Sequence, residues 1–246
     1  MIESIPNFQS SIIKPNINQI QNIPSLKVTD KILSELVTVS KRSSKHNHSQ
    51  VTTELRNRLG KSLGREVFSL EENEPTSIGF LIMVDPEYRK KNFKFGEILR
   101  LSSIIMMVEN CIKNFEIYSK DSAIYFHSKY KFKPNITQFK ERNEALESII
   151  ANCHKNGEKY DIFLKEAEML LDEAMRDTRA ETQRRLCVQT NDLLSRYIKK
   201  VLETKGEYTS HPFKSGFSMK LTDESINKNK DFFNGLLEKH NIDYKI

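Results

Sequence analysis

The feature that most narrows what this chain can fold into is a double change of hydrophobic period between residues 77 and 119. Residues 77–84, Ser-Ile-Gly-Phe-Leu-Ile-Met-Val, are nearly continuous apolar residues, the pattern expected of a strand buried on both faces. Asp85-Pro86 interrupts the run, and a short basic stretch containing Arg89, Lys90, Lys91 and Lys94 follows. From Gly96 onward Ile98, Leu99, Leu101, Ile104, Ile105, Met107, Val108 and Ile112 recur at helical spacing, predicting a helix over 96–114 that lies across a sheet. Residues 115–119, Phe-Glu-Ile-Tyr-Ser, then read as a second strand. A strand–helix–strand unit of this length implies a right-handed crossover between parallel strands. A helix start leaves its first backbone N–H groups unpaired and carries partial positive charge, so the basic stretch just before one outlines an anion site.

The flanking segments surround this unit with antiparallel structure. Residues 32–39 alternate loosely as a strand, and a polar loop over 41–50 leads to 51–58. Leu59-Gly-Lys-Ser-Leu-Gly64 supplies turn glycines before 65–70, so the two β-prone segments read as a hairpin. After 119, Asp121 or Ser122 is placed to cap a helix that runs to Tyr130 and ends before Pro134. Residues 137–205 change character to long charged amphipathic helices: 139–153, a turn at Asn156-Gly157, and 160–202 as a hairpin or small bundle. Mixed structure returns with a strand at 216–221, a helix at 223–240 and a last strand at 242–246, which need a sheet to join. The expected class is α+β, with a mixed, mostly antiparallel central sheet flanked by helices and carrying a helical insertion. The expected organisation is a flexible arm over 1–25, broken by Pro6, Pro15 and Pro24; one domain built from 26–135 and 210–246; and an insertion over 136–209.

Composition removes several functions. No apolar run reaches the roughly 18 residues of a membrane span, and the N-terminus lacks a basic segment followed by a hydrophobic one, so the expected location is cytoplasmic with no membrane contact. The formal charge is +6, but the lysines are dispersed among Asp and Glu, and no strand interleaves aromatic with basic residues. Nucleic acid is therefore not an expected partner. Cys111, Cys153 and Cys187 are scattered and odd in number, which suits reduced thiols, and His46 and His48 lie in a polar loop. No metal site is expected.

A second motif, Ser122-Ala-Ile-Tyr-Phe-His-Ser-Lys-Tyr-Lys-Phe132, resembles the helix after the parallel strand in the GNAT superfamily of N-acetyltransferases, where Ala-Ile-x-Phe-Tyr-x-Lys-x-Gly-Phe is common. Ala123, Ile124, Phe126, Lys129 and Phe132 match in register. Val84-x-Pro86-x-Tyr88-Arg89 stands at the family's distance upstream, so two linked motifs cover residues 77–134. The resemblance implies a GNAT-type sheet with acyl-CoA in a gap beside the strand that precedes the basic loop. Acetyl-CoA is the implied co-substrate, with Met83 and Val84 offering backbone groups to its thioester end and Arg89, Lys90, Lys91, Asn92, Lys94 and Gly96 wrapping its pyrophosphate. The family's loop reads Arg/Gln-x-x-Gly-x-Gly/Ala, and here Asn92 and Lys94 occupy the two small positions. The family's general-acid Tyr is replaced by His127, whose imidazole can exchange a proton near neutral pH. Tyr125 and Tyr130 are nearby substitutes. Glu97, Arg100, Glu66 and Glu71 are further charged candidates that spacing does not rank.

The resemblance implies an N-acyltransferase that moves an acetyl group from acetyl-CoA directly to a small-molecule or peptide amine. The competing reading is a catalytically inactive GNAT-fold binding module that uses the helical insertion as its surface for a protein partner.

Overall fold

The computed structural model describes residues 33–42, 49–57, 61–70, 75–89, 94–204, 207–240, 242 and 244–246. The arm over 1–25 and the His46/His48 pair lie outside the described residues. The chain divides into two compact units, Met1–Phe115 with Thr222–Ile246, and Glu116–Leu221. The class is α+β with a mostly antiparallel sheet and flanking helices, in line with the expectation from sequence.

In the first unit β1 (Leu33–Arg42), β2 (Ser49–Asn57), β3 (Ser62–Leu70) and β4 (Thr76–Val84) are antiparallel neighbours in that order. Thr53 on β2 faces Glu66 on β3, which in turn faces Ile82 on β4. Leu55, Gly64, Glu66 and Phe68 are buried, and their even spacing on β3 puts Gly64, Glu66 and Phe68 on one face. A short helix α1 (Pro86–Arg89) follows β4, and α2 (Phe95–Glu109) packs against β2, β3 and β4. The expected helix is present but ends earlier, at Glu109, with Cys111 at φ 53° turning the chain. It is also more deeply set than an amphipathic face predicts: residues 98–107 are all buried, Arg100, Ser102 and Ser103 included. β5 (Asn114–Ser119) sets off beside the first residues of β4. The N–H groups of Lys113 and Asn114 both donate to the Pro75 carbonyl at 2.9 Å, and the Asn114 amide reaches Thr76 Oγ1 at 3.4 Å. Start beside start is the arrangement a crossover between parallel strands requires.

Three expectations fail in this unit. The apolar run of β4 is not buried on both faces, since Ile78, Phe80, Leu81 and Met83 are all exposed. An apolar run reports what a strand could bury, whereas the amount covered depends on which elements reach it. Gly64 is not a turn residue but lies inside β3, where a Cβ would stand 2.9 Å from the Met83 carbonyl oxygen and 3.1 Å from Leu99 Cδ1. The C-terminal helix is two helices, α7 (Asp223–Lys228) and α8 (Lys230–Lys239), and the described residues beyond it form no strand. The tail folds back instead: the Asn234 side-chain oxygen accepts from the Ile246 N–H at 2.9 Å, satisfying the backbone as a strand partner would have.

In the second unit the order is β5, β7 (Phe217–Thr222) and β6 (Lys133–Pro134), with β6 antiparallel to β7. Helix α3 (Ser122–Lys129) has Asp121 at its N-cap position with φ 48° and no side-chain capping bond, so the expected cap chemistry is absent there. The long helices are α4 (Phe139–Asn156), α5 (Asp161–Arg176) and α6 (Ala180–Glu203). Gly157 joins α4 to a short 3-10 turn at φ 84° and ψ −175°, a conformation open to glycine and to almost nothing else. Phe163, Ala167, Leu170 and Ala174 form the buried stripe of α5, and the break at residues 177–179 turns the expected 160–202 stretch into a helical hairpin. Its centre is polar as well as aromatic. Tyr125 Oη donates to the His211 carbonyl at 2.7 Å, Tyr197 Oη lies 2.5 Å from His211 Nδ1, and Asn152 donates to the Pro212 carbonyl at 2.9 Å. These buried groups find partners, which is the condition for a polar group to be tolerated in a core.

Candidate functional site

The site in the first unit is assembled on the first half of β3. The Leu63 carbonyl accepts from the Asp85 N–H at 2.9 Å, tying the residue that follows β4 to β3. Asp85 then organises α1 by accepting from the Glu87 N–H through its carboxylate and from the Tyr88 N–H through its carbonyl, both at 2.9 Å. Lys61 reaches the same turn, 3.6 Å from Asp85 and 3.8 Å from Glu87, with its ammonium 5.8 Å from the centre of the Tyr88 ring. Tyr88 is buried and stacks at 5.8 Å on Phe95, the first residue of α2. The turn is thereby held at both ends, by β3 before it and by α2 after it.

β4 carries an extra residue midway along its length. Val67 faces Leu81 and Phe68 faces Gly79, so Phe80 is left over as a bulge, with 59% of its surface exposed. A bulge sharpens local twist and re-aims the residues that follow it. Those are Leu81 and Met83, both exposed, and the half-buried Ile82 and Val84.

Lys94 is the residue on which the loop turns into the helix. Its backbone is left-handed, φ 60° and ψ 22°, and its side chain makes no capping bond. Its carbonyl accepts the first helical N–H groups, from Glu97 at 2.9 Å and Ile98 at 3.1 Å. Left-handed backbone costs an L residue with a Cβ about 1–2 kcal/mol relative to the right-handed form. The position therefore has a conformational reason to be Gly, one of the two small residues, Gly or Ala, that the resemblance places there. Lys94 keeps the turn and adds an exposed cation at the helix start. Gly96 is half-buried in the first turn. Arg89 closes α1. Lys90, Lys91 and Asn92 lie outside the described residues.

Glu97 puts a carboxylate in the first turn of α2, where it would oppose an incoming anion. It is engaged by the C-terminal end of α8: Lys239 Nζ lies 2.7 Å from Glu97 Oε1, and the buried His240 meets the same oxygen through Nε2. Glu97 and Arg100, both open as charged candidates from sequence, have different partners. Arg100 Nη1 lies 2.7 Å from Glu66 Oε1, with Arg100 2% and Glu66 1% exposed. Burial pushes the Glu66 carboxyl up to about 7, against the opposing pull of the Arg100 charge and the Ser103 hydroxyl. Glu66 is the group sequence could not rank. The usable signal was an acidic residue at an inward position of a strand, and this becomes visible only once Gly64 and Phe68 are known to be buried beside it.

In the second unit His127 occupies α3 and is 4% exposed. Its ring lies 5.1 Å from that of Phe126 and 5.6 Å from that of Phe132, and its carbonyl accepts from the Tyr130 N–H at 2.9 Å. Tyr125 is bonded to His211, and burial raises its phenol far above the ordinary range, so it holds its proton as a structural donor. Tyr130 is buried against Phe126, ring centres 4.9 Å apart.

No family model matches the chain, and no curated protein matches it. Among solved structures it is similar to a GNAT-family acetyltransferase from Staphylococcus aureus Mu50, with 24% identity over 36% of this chain and 55% of that one and a TM-score of 0.33. It is also similar to a Bacillus subtilis acetyltransferase in complex with CoA (19% identity, 41% of this chain, 78% of that one, TM-score 0.31). A third likeness is to a GNAT-family acetyltransferase from Elizabethkingia anophelis with acetyl-CoA bound (14%, 41%, 78%, 0.32). The chain spans about half the length of the first of these and 30% of a tandem GNAT protein from clavulanic acid biosynthesis. Among the described residues no helix is long and apolar enough to cross a membrane.

Proposed function

We propose that this protein is an N-acyltransferase that takes an acetyl group from acetyl-CoA and passes it directly to a small-molecule or peptide amine. The observation that carries the reading is the left-handed Lys94 at the start of α2. Cationic residues and then a positive-φ residue precede the helix in sequence, and a pyrophosphate can be cradled at the helix start by backbone N–H groups. Arg89, Lys90, Lys91 and Lys94 supply charge, and the hold of Lys239 and His240 on Glu97 offsets the carboxylate in the first turn of α2 that would repel it.

In this mechanism the donor's thioester lies along the end of β4, where backbone groups near Met83 and Val84 stabilise the tetrahedral oxyanion. The amine nitrogen bonds to the carbonyl carbon, the carbon–sulfur bond breaks, and the nitrogen gives up its proton to solvent. The resemblance gives His127 the role of proton donor to the departing CoA thiolate, with the proton then restored from solvent. The donor requires no protein-bound cofactor or metal for this step. Calorimetry with acetyl-CoA tests the donor site: micromolar affinity that falls about tenfold in Arg89→Ala supports it. Acyl transfer to a panel of amines, followed by mass spectrometry, tests the reaction. His127→Phe should depress turnover with CoA affinity nearly unchanged, and an unaffected turnover would return His127 to a structural role.

A second reading has one observation in its favour, the enclosure of His127 between Phe126 and Phe132. On that reading the fold is a non-catalytic binding module whose helical hairpin meets a protein partner. Absence of acetyl-CoA binding in the same titration selects it.

A further inference from the structure

We infer that the buried Glu66–Arg100 pair is a positioning device for the donor site, a pin that sets the register of α2 on β3. The inference rests on the acyl-donor reading above, and it concerns residues that do not themselves touch the donor.

Two inward residues of β3, Gly64 and Glu66, meet the two elements that build the site. Gly64 lies against both the end of β4 and the early turns of α2, and any Cβ there would press on the Met83 carbonyl and on Leu99. Two residues further on, Glu66 holds Arg100, which is one helical turn beyond Gly96. The guanidinium is fixed from a third side, its centre 5.2 Å above the Phe115 ring at the start of β5. Ser103 completes the grip, with its hydroxyl 3.5 Å from Arg100 Nη1 and donating to the Arg100 carbonyl at 2.9 Å.

An apolar side chain at position 100 would fill the space, since Ile98, Leu99, Leu101, Ile104 and Ile105 around it are apolar and buried. Apolar contacts are non-directional, however, so a helix enclosed over residues 98–107 could rotate or slide by a fraction of a turn at little cost. A buried arginine held by a side-chain oxygen cannot, because displacement strands the guanidinium charge without its acceptor. Setting register is the best-attested use of such pairs, which add little net stability. Sliding α2 by one residue moves its first N–H groups by about 1.5 Å. That is enough to take a phosphate out of hydrogen-bond range. Thr53 on β2 and Ile82 on β4 are the cross-strand neighbours of Glu66, and both are uncharged.

The test compares wild type, Glu66→Gln and the double variant Glu66→Leu/Arg100→Met. Gln preserves the shape and the acceptor toward Arg100, while Leu with Met fills the volume with no directional contact. Single removal of the carboxylate by Ala is avoided, because it would leave the arginine buried without its partner and could unfold the chain. Three readouts are taken: thermal midpoint, hydrogen exchange of the Phe95–Leu101 amides, and CoA affinity. The pin predicts a double variant at least as stable as wild type, with exchange in the first turns of α2 about tenfold faster, the rest of the chain unchanged, and CoA bound about tenfold more weakly. Glu66→Gln should stay within about twofold of wild type in both exchange and affinity. Wild-type exchange and affinity in the double variant, or equal losses in both variants, overturns the inference. If wild type itself fails to bind CoA, the acyl-donor reading falls, and the exchange measurement still decides whether the pair pins α2.

Discussion

Lys94 and Glu66 are each placed where their residue type is locally unfavourable, and each yields a measurable consequence. At Lys94 the left-handed backbone carries the cost of a Cβ with no side-chain cap to offset it. Lys94→Gly should therefore stabilise the fold by about 1 kcal/mol, read as a higher urea midpoint, while it removes a cation from the donor site. An unchanged or lower midpoint would show that the turn is not under conformational strain. Glu66 makes stability depend on pH with a definite sign. Its carboxyl is raised to about 7 in the folded chain from an ordinary value near 4.5, so between those values the native state keeps a proton that the unfolded state releases. Stability is then fully present below about pH 4.5 and falls as pH rises through about 7, by on the order of 3 kcal/mol if the whole shift is expressed. Glu66→Gln should flatten this part of the profile in denaturation measured from pH 4.5 to 8. A profile identical to wild type would mean Glu66 is already ionised throughout. The two residues differ in how far sequence could show them. Lys94 stands at a motif position, so its oddity is visible in one dimension, whereas Glu66 looks like any other acidic residue until burial and Arg100 are seen.

At the scale of elements, the pieces most faithfully legible in sequence are those whose signal is local. The period of α2 and the breaker before α1 are of this kind, as is the glycine after α4 at φ 84°. Gly157→Ala should cost about 1–3 kcal/mol by forcing a Cβ into a region open almost only to glycine, and a melting temperature within a degree of wild type would show that the connection can relax. Gly64 illustrates the opposite case. Read locally it belongs to a turn, but its place is inside β3, where the demand comes from Met83 and Leu99, far away along the chain. Gly64→Ala should destabilise by about 1–3 kcal/mol through overpacking and should weaken CoA binding at the same time, because the contact it enlarges lies between the end of β4 and the start of α2. Lost stability with full donor affinity would separate that contact from the site. The misread elements follow the same logic. The apolar run of β4 states a capacity for burial that the exposed Phe80, Leu81 and Met83 leave unused. Among the described residues the expected last strand does not form, and Asn234 satisfies the backbone of Ile246 instead.

At the scale of the whole molecule, the formal charge of +6 spreads over a chain with many local ion pairs. Glu166–Arg196 across the helical hairpin and Glu116–Lys220 between β5 and β7 are examples. A dispersed charge of this kind predicts no saturable binding of duplex DNA at micromolar protein in physiological salt. Fluorescence anisotropy checks this, and tight binding with a steep salt slope would expose a basic surface. Sequence alone determined the class, the strand–loop–helix order and the identity of the loop's cations, because these depend on period, breakers and residue type within a few neighbours. Tertiary structure alone decided that Lys94 takes the left-handed turn, that Glu97 is held by Lys239 and His240, and that Glu66 meets Arg100 inside the core. Those outcomes depend on which distant residues share a low-dielectric interior, where a charge must find its partner or give up its proton, and the spacing of residues along a chain carries no record of that choice.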